Sequence, residues 1–175
     1  FIPDFEVNYE SISGTCEGDS VELNSSLTGA GYFYQWFKNL SPVTGANASD
    51  YYAKNAGEYS LLIFNADGCE KQSDYKEVEI YPLPDVSINV IGQTDFCEGQ
   101  SSQLSIPFKS GSQYIWRKDE IVLSAATSAD LIVTDSGSYN VEVINNYGCT
   151  DKSNDVEINV YELPSADLTA DGPTG

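Results

Sequence analysis

The chain states one order of landmark residues twice, about 80 residues apart. Pro3, Pro84 and Pro164 are spaced by 81 and 80; Cys16 and Cys97 by 81. Trp36 and Trp116, Gly57 and Gly137, Tyr59 and Tyr139, Cys69 and Cys149 are all separated by 80. A fixed period of this kind constrains the fold before any single residue does, because each copy must fold to the same plan. The expectation is repeat 1 over residues 1–81 and repeat 2 over 82–161, with 162–175 opening a third copy as linker and first strand. An 80-residue unit buries only a thin core, so additional cross-links are expected.

Each copy reads as strands. The alternating openings PDFEVNYES and PDVSINVIG give a strand A, and TCEGDS and FCEGQS a turn after it. VELNSSL and SQLSIPF form strand B; YFYQWFK and YIWRK form C, with Trp36 and Tyr34, and Trp116 and Tyr114, on one face. Pro42–Val43 and Ile121–Leu123 mark a C′ strand, an edge because proline cannot donate to a ladder. DYYAK and DLIVT are strand E, GEYSLLIFN and GSYNVEVIN strand F. The turns NADG and NNYG then lead into strand G. Seven short strands per copy without helical periodicity make the chain all-β, two tandem seven-stranded sandwiches. Between the copies, Tyr81-Pro82-Leu83-Pro84 forms a short, stiff joint.

A net charge of −19, from 27 acidic and 8 basic residues, opposes nucleic acid and anionic lipid, which need lysine and arginine footprints. No stretch of 18 apolar residues is present, so no membrane insertion is expected. Histidine is absent, as is any Gly-x-Ser-x-Gly elbow, which removes the usual general base and any Ser-His triad. Scattered carboxylates such as Asp119 and Glu120 read as solvated. No catalytic residue is assigned, and the chain is read as a non-enzyme.

Cys-Glu-Gly-x-Ser before strand B, the strand-C tryptophan, Gly-x-Tyr opening F, and Gly-Cys after F form one pattern. It resembles the Ig-like and PKD-like tandem repeats of large Bacteroidota cell-surface proteins, including gliding-motility adhesins exported by type IX secretion. The resemblance implies an immunoglobulin-like sandwich with Trp36, Tyr59, Trp116 and Tyr139 in the cores, and Tyr59 and Tyr139 at a tyrosine corner. It also implies an exported, extracellular, surface-anchored filament. Two departures stand out. Thr15 occupies the place of Phe96, and no Trp-x-Phe-Gly-Asp-Gly follows either tryptophan, which favours the Ig-like branch.

Two cysteines per copy, with no Cys-x-x-Cys pair, read as disulfides of an oxidising compartment. In an immunoglobulin sandwich Cys16 falls at the start of B and Cys69 beyond the end of F, at opposite poles. A strand spans roughly 20 Å, whereas a disulfide needs Cα atoms within about 7 Å. The favoured pairing is therefore Cys16–Cys149 across the joint, leaving Cys69 and Cys97 for neighbouring repeats. The alternative is Cys16–Cys69 with Cys97–Cys149 inside each copy.

Three further features bear on ligands. Asp67 in Asn65-Ala66-Asp67-Gly68, and Asp167 through Asp171-Gly172, offer hard oxygen ligands for calcium, though no Asp-x-Asp-x-Asp-Gly loop is present and no other metal or cofactor is expected. Tyr32, Tyr51 and Tyr52 in repeat 1 form a candidate ligand surface for surface glycans or proteins. Asn24, Asn39 and Asn47 sit in Asn-x-Ser sequons found only in that repeat. The function expected first is a structural stalk, with neighbouring repeats as partners, that holds an adhesive tip away from the cell in attachment or gliding. Ligand-binding repeats, or an accessory module of a secreted polysaccharide hydrolase, are the alternatives.

Overall fold

The computed structural model describes residues 1–9 and 13–165. The chain divides into two compact units between Leu83 and Pro84, two residues beyond the sequence-based boundary and inside the proline joint. Residues 162–165 lack regular structure, and the rest of the expected third copy lies outside the described residues.

In unit 1 the strands are β1 (Val7–Tyr9), β2 (Gly14–Cys16), β3 (Val21–Ser25), β4 (Tyr32–Lys38), β5 (Ser41–Pro42), β6 (Asp50–Ala53), β7 (Gly57–Asn65), β8 (Glu70–Gln72) and β9 (Lys76–Tyr81). Unit 2 repeats them as β10 (Asn89–Ile91), β11 (Asp95–Cys97), β12 (Ser102–Ser105), β13 (Gln113–Lys118), β14 (Ile121–Val122), β15 (Asp130–Val133), β16 (Gly137–Ile144), β17 (Thr150–Lys152) and β18 (Val156–Tyr161). One sheet of each unit has three strands, β1-β3-β6 or β10-β12-β15. The other runs β2-β9-β7-β4-β5 with β8 on β7, or β11-β18-β16-β13-β14 with β17 on β16. This is an all-β, immunoglobulin-like double sandwich, with proline-bearing β5 at a sheet edge as its missing donor requires.

Seven expected strands become nine segments for two local reasons. The first strand changes sheets: β1 pairs antiparallel with β3, then β2 pairs parallel with β9. Cys16 thus lies within a strand, and the Glu-Gly-Asp turn comes after it. The last strand is interrupted at a serine. The Ser73 hydroxyl accepts from Leu61 N at 2.9 Å while Ser73 N donates to Leu61 O at 2.9 Å. Ser153 does the same for Val141, at 3.0 and 2.9 Å. The side chain replaces a ladder carbonyl, so the strand bends without orphaning a buried N–H.

Each core lies between the two sheets. In unit 1, Val7, Val21, Leu23 and Ala53 of the smaller sheet meet Trp36, Tyr59, Leu61, Ile63 and Val78 of the larger. Unit 2 uses Leu104, Val133, Tyr114, Trp116, Tyr139, Val141, Val143 and Ile158, and adds Phe96 where unit 1 has Thr15. Both tryptophans are fully buried. Their indole N–H groups donate to Ala48 O at 3.0 Å and Ser128 O at 2.8 Å, tying strand C to the loop before strand E. The Tyr59 hydroxyl donates to Asn55 O at 2.8 Å, and that of Tyr139 to Asp135 O at 2.9 Å. In both cases the acceptor lies four residues upstream, the bond of a tyrosine corner.

The Gly-x-Tyr glycine holds a backbone conformation that other residues rarely adopt. Gly57 and Gly137 sit at φ 153° and 157°, and a Cβ there would come within 2.8 Å of Lys38 Cε and 2.6 Å of Lys118 Cε.

Candidate functional site: the cysteine turns and the outer sheet faces

The four cysteines occupy two kinds of turn, each built twice. Cys16 ends β2 opposite Tyr81; Glu17 N donates to Tyr81 O at 2.8 Å, and Asp19 N to Cys16 O at 3.1 Å. Cys97 ends β11 opposite Tyr161, with Glu98 N to Tyr161 O at 2.8 Å and Gln100 N to Cys97 O at 3.1 Å. The second kind of turn closes on an asparagine. Asn65 N donates to Cys69 O at 3.0 Å, and Cys69 N to Asn65 Oδ1 at 3.0 Å. Asn145 and Cys149 make the same two bonds at 2.9 and 3.0 Å. Gly68 and Gly148, at φ 79° and 84°, permit the reversal.

Within unit 1 the two kinds of turn are at opposite poles. Cys16 pairs with the last residue of β9, beyond the register where Gly57 of β7 meets Val78; Cys69 lies past the far end of β7. The nine residues of β7 span roughly 25–30 Å, far beyond disulfide reach. The amino terminus enters beside the Cys69 pole. Its ammonium donates to Cys69 Sγ at 3.5 Å, and Asp4 pairs with Lys71. The exit, at Tyr81, carries Cys16. Unit 2 has the same strand order, so Cys149 marks its entry pole and Cys97 its exit.

Cys16 and Cys149 are each disulfide-bonded, whereas Cys69 and Cys97 are free thiols. The within-copy alternative, Cys16–Cys69 with Cys97–Cys149, required both free thiols to be bonded and is corrected by this finding. The physical reason is the length of strand F, which holds the cysteines of one sandwich apart.

The outer face of the larger sheet differs between units. In unit 1 Phe33 and Phe64 are cross-strand partners on β4 and β7, stacked at 5.4 Å with 20° between ring planes, and 51% and 36% exposed. They border a surface depression lined also by Gln35, Asn47 and Ser49. Unit 2 carries Gln113 opposite Ile144 at these places. Its face is held by charge instead: Arg117 pairs with Glu142 at 2.5 Å, Lys152 with Glu120 at 3.2 Å, and buried Asn140 donates to Asp155 at 2.7 Å.

The tyrosine surface expected in repeat 1 is not assembled. Tyr51 faces inward between Trp36 and Tyr59, with centroids 5.8 and 5.7 Å away, because β6 pairs it with buried Leu23. Tyr32 is half-buried against the same core. Tyr52 alone of the three is exposed, on the smaller sheet and facing away from Phe33 and Phe64. The signal for Phe33 was its alternation with Tyr32 and Tyr34; that for Phe64 was hidden until the β4–β7 register was known.

Burial pushes the Tyr59 hydroxyl up to about 12, aided by Tyr51 and opposed by the bond to Asn55. Tyr139 moves in the same direction, through burial and then Asp135 and Asp119. Asp95, beside Cys97, is held below the usual carboxylate range by bonds from Thr94, Asn159 and Tyr161. Asp67 is engaged in its own turn, where its N–H donates to Asn65 Oδ1 at 3.1 Å and its carboxylate accepts from Asn65 Nδ2 at 3.5 Å. No group of three or more potential metal-binding His, Cys, Asp or Glu residues exists among the described residues. Asp167 and Asp171 lie outside them.

No family model matches the chain, and no curated protein matches it. Among solved structures it is similar to murine CEACAM1b, at 14% identity over 90% of this chain and 100% of that one, with a TM-score of 0.40. It is also similar to the I67–I69 fragment of titin, at 13% identity over 89% of this chain and 66% of that one, with a TM-score of 0.45. A third similarity is to fibronectin(III)-like modules of Clostridium thermocellum CbhA, at 12% identity over 93% and 99%, with a TM-score of 0.36.

Proposed function

We propose that the two units are spacer modules of an exported, extracellular protein, clamped in series by a Cys16–Cys149 disulfide. The observation that carries this reading is the distribution of oxidation states. One cysteine at the exit pole of unit 1 and one at the entry pole of unit 2 are bonded, and the other two are free. Such a bond restrains the joint between successive sandwiches, which the Pro82 and Pro84 backbone already stiffens. Restrained joints transmit length, the property a stalk needs. A disulfide that persists points to an oxidising, extracellular setting. The repeat resemblance supports a finer version, the stalk of a surface adhesin acting in attachment or gliding. The acidic surface suits this role, since like-charged modules stay soluble and unaggregated.

Small-angle scattering with and without reductant tests the reading. Reduction is expected to leave both units folded and to broaden the distribution of inter-unit distances. Unchanged scattering, with the bond demonstrably reduced, counts against a clamp.

A second reading rests on the exposed Phe33–Phe64 pair of unit 1. A flat aromatic platform beside the amides of Gln35 and Asn47, with no charged residue lining the depression, suits a neutral sugar. A glycan array separates the two readings. A spacer gives a blank array; a binding module gives a hit that Phe33→Ala abolishes and that unit 2 does not share.

A further inference from the structure

The structure holds two free thiols whose repeat equivalents are bonded. Cys97 stands where Cys16 stands, and Cys69 where Cys149 stands. The turns that present them are copies as well. The bonds flanking Cys16 and Cys97 agree in donor, acceptor and length, at 2.8 and 3.1 Å in both. Those closing Cys69 and Cys149 agree to within 0.1 Å, from 3.0 and 3.0 Å in the one to 2.9 and 3.0 Å in the other. Cys97 is exposed and Cys69 half-buried.

We infer that Cys97 and Cys69 are the two complementary halves of one further covalent junction, each taking a repeat of this same kind as partner. Cys97 accepts a cysteine from an asparagine-closed turn, and Cys69 accepts one from the end of a first-strand segment. This rests on the Cys16–Cys149 clamp. Like is not expected to join like: two Cys97 poles both lack the asparagine-closed turn that the bonded arrangement uses.

The chemistry is a thiol–disulfide exchange with a small disulfide such as oxidised glutathione. One protein thiolate attacks glutathione disulfide, forming a mixed disulfide and releasing one reduced glutathione. The second protein thiolate attacks the protein sulfur of that intermediate, forming the junction and releasing the other. Two thiols are oxidised by two electrons and one glutathione disulfide is reduced to two thiols. The partner repeat comes from a second copy of the chain or from further along the same polypeptide, where tethering raises its effective concentration.

Two variants of the whole chain test this. Cys69→Ser leaves only Cys97 free, and Cys97→Ser leaves only Cys69. Each is isotopically distinguished, mapped first for Cys16–Cys149, then mixed in equal amounts in a glutathione redox buffer. A mixed Cys97–Cys69 dimer far above the random proportion, with homodimers scarce, supports the junction between copies. In a second arm the chain is extended by another copy of residues 1–161 after Pro164, at a dilution that suppresses encounters between molecules. An internal bond from Cys97 to the second copy's cysteine equivalent to Cys69 supports the junction along one polypeptide. Random pairing in the first arm together with no internal bond in the second overturns the inference. Absence of Cys16–Cys149 in the initial map overturns the clamp itself, which separates the two failures.

Discussion

The two units share a backbone plan but stabilise their outer faces by different chemistry. Unit 1 covers the C–F surface with stacked Phe33 and Phe64; unit 2 covers it with the Arg117–Glu142 and Lys152–Glu120 pairs and the Asn140–Asp155 bond. Inside, the units differ again. Unit 1 packs a third aromatic ring, Tyr51, against Trp36 and Tyr59, where unit 2 has Leu131. What does not vary is the frame: the indole bond to the loop before E, the tyrosine corner, the serine in the last strand and the four cysteine turns. The repeat therefore holds constant the residues that set strand order and the poles, and leaves the sheet surfaces free to diverge. That is the pattern expected of modules used for their geometry.

The largest effects are expected at the tryptophans. Trp36→Ala and Trp116→Ala are each expected to cost about 3–5 kcal/mol in their own unit, through lost packing and an orphaned loop carbonyl. Urea unfolding followed by hydrogen exchange, which reports each unit separately, checks this. A loss confined to one of the two variants would mean that the cores are not equivalent.

Ser73→Ala and Ser153→Ala come next. Each leaves a backbone N–H, of Leu61 or Val141, without its side-chain acceptor, at a cost of about 1–3 kcal/mol when buried. Ser153 is buried and Ser73 half-buried, so the unit 2 variant is expected to lose more. Equal, negligible losses would show that the break in the last strand needs no serine.

Tyr51→Leu gives unit 1 the residue of unit 2 and removes two aromatic contacts, for about 1 kcal/mol. A loss of several kcal/mol would mean that the surrounding core cannot close on the smaller side chain.

The smallest expected effect is alkaline. Tyr59 keeps its proton in the folded state to about 12, against an ordinary value of 10.0. The unfolded chain ionises first. The stability this tyrosine contributes is therefore complete below about 10 and is lost as the pH rises towards about 12. Tyr139 shifts in the same direction. Urea midpoints recorded from pH 8 to 12 should fall across that window, and Tyr59→Phe should flatten part of the fall. A midpoint that rises with pH would contradict the assignment.

Much of the frame was legible in the sequence because it depends on residues with few alternatives. A tryptophan in strand C, a Gly-x-Tyr opening strand F and cysteines ten residues beyond the corner tyrosines mark the strands, and the immunoglobulin-like topology that the repeat pattern implies puts the cysteines at opposite poles. What escaped depends on register. Tyr51 and Tyr52 alternate in any strand, and only the pairing of Tyr51 with Leu23 decides which ring is inside. The sheet change between β1 and β2 left no composition signal either. The C′ strand was legible from Pro42 and Ile121, but not the turn that leads to it, where Asn39-Leu40 and Asp119-Glu120 adopt positive φ without glycine. Its Asn39 and Asp119 side chains accept from Glu58 N and Ser138 N at 2.9 Å, which holds the turn.

The proposed clamp joins cysteines at poles of opposite type. A non-reduced, thiol-blocked digest of the intact chain read by mass spectrometry tests it most directly. The clamp requires one disulfide-linked peptide pair, containing Cys16 and Cys149, with Cys69 and Cys97 carrying the blocking label. Linked Cys16–Cys69 or Cys97–Cys149 peptides, or four labelled cysteines, would contradict it.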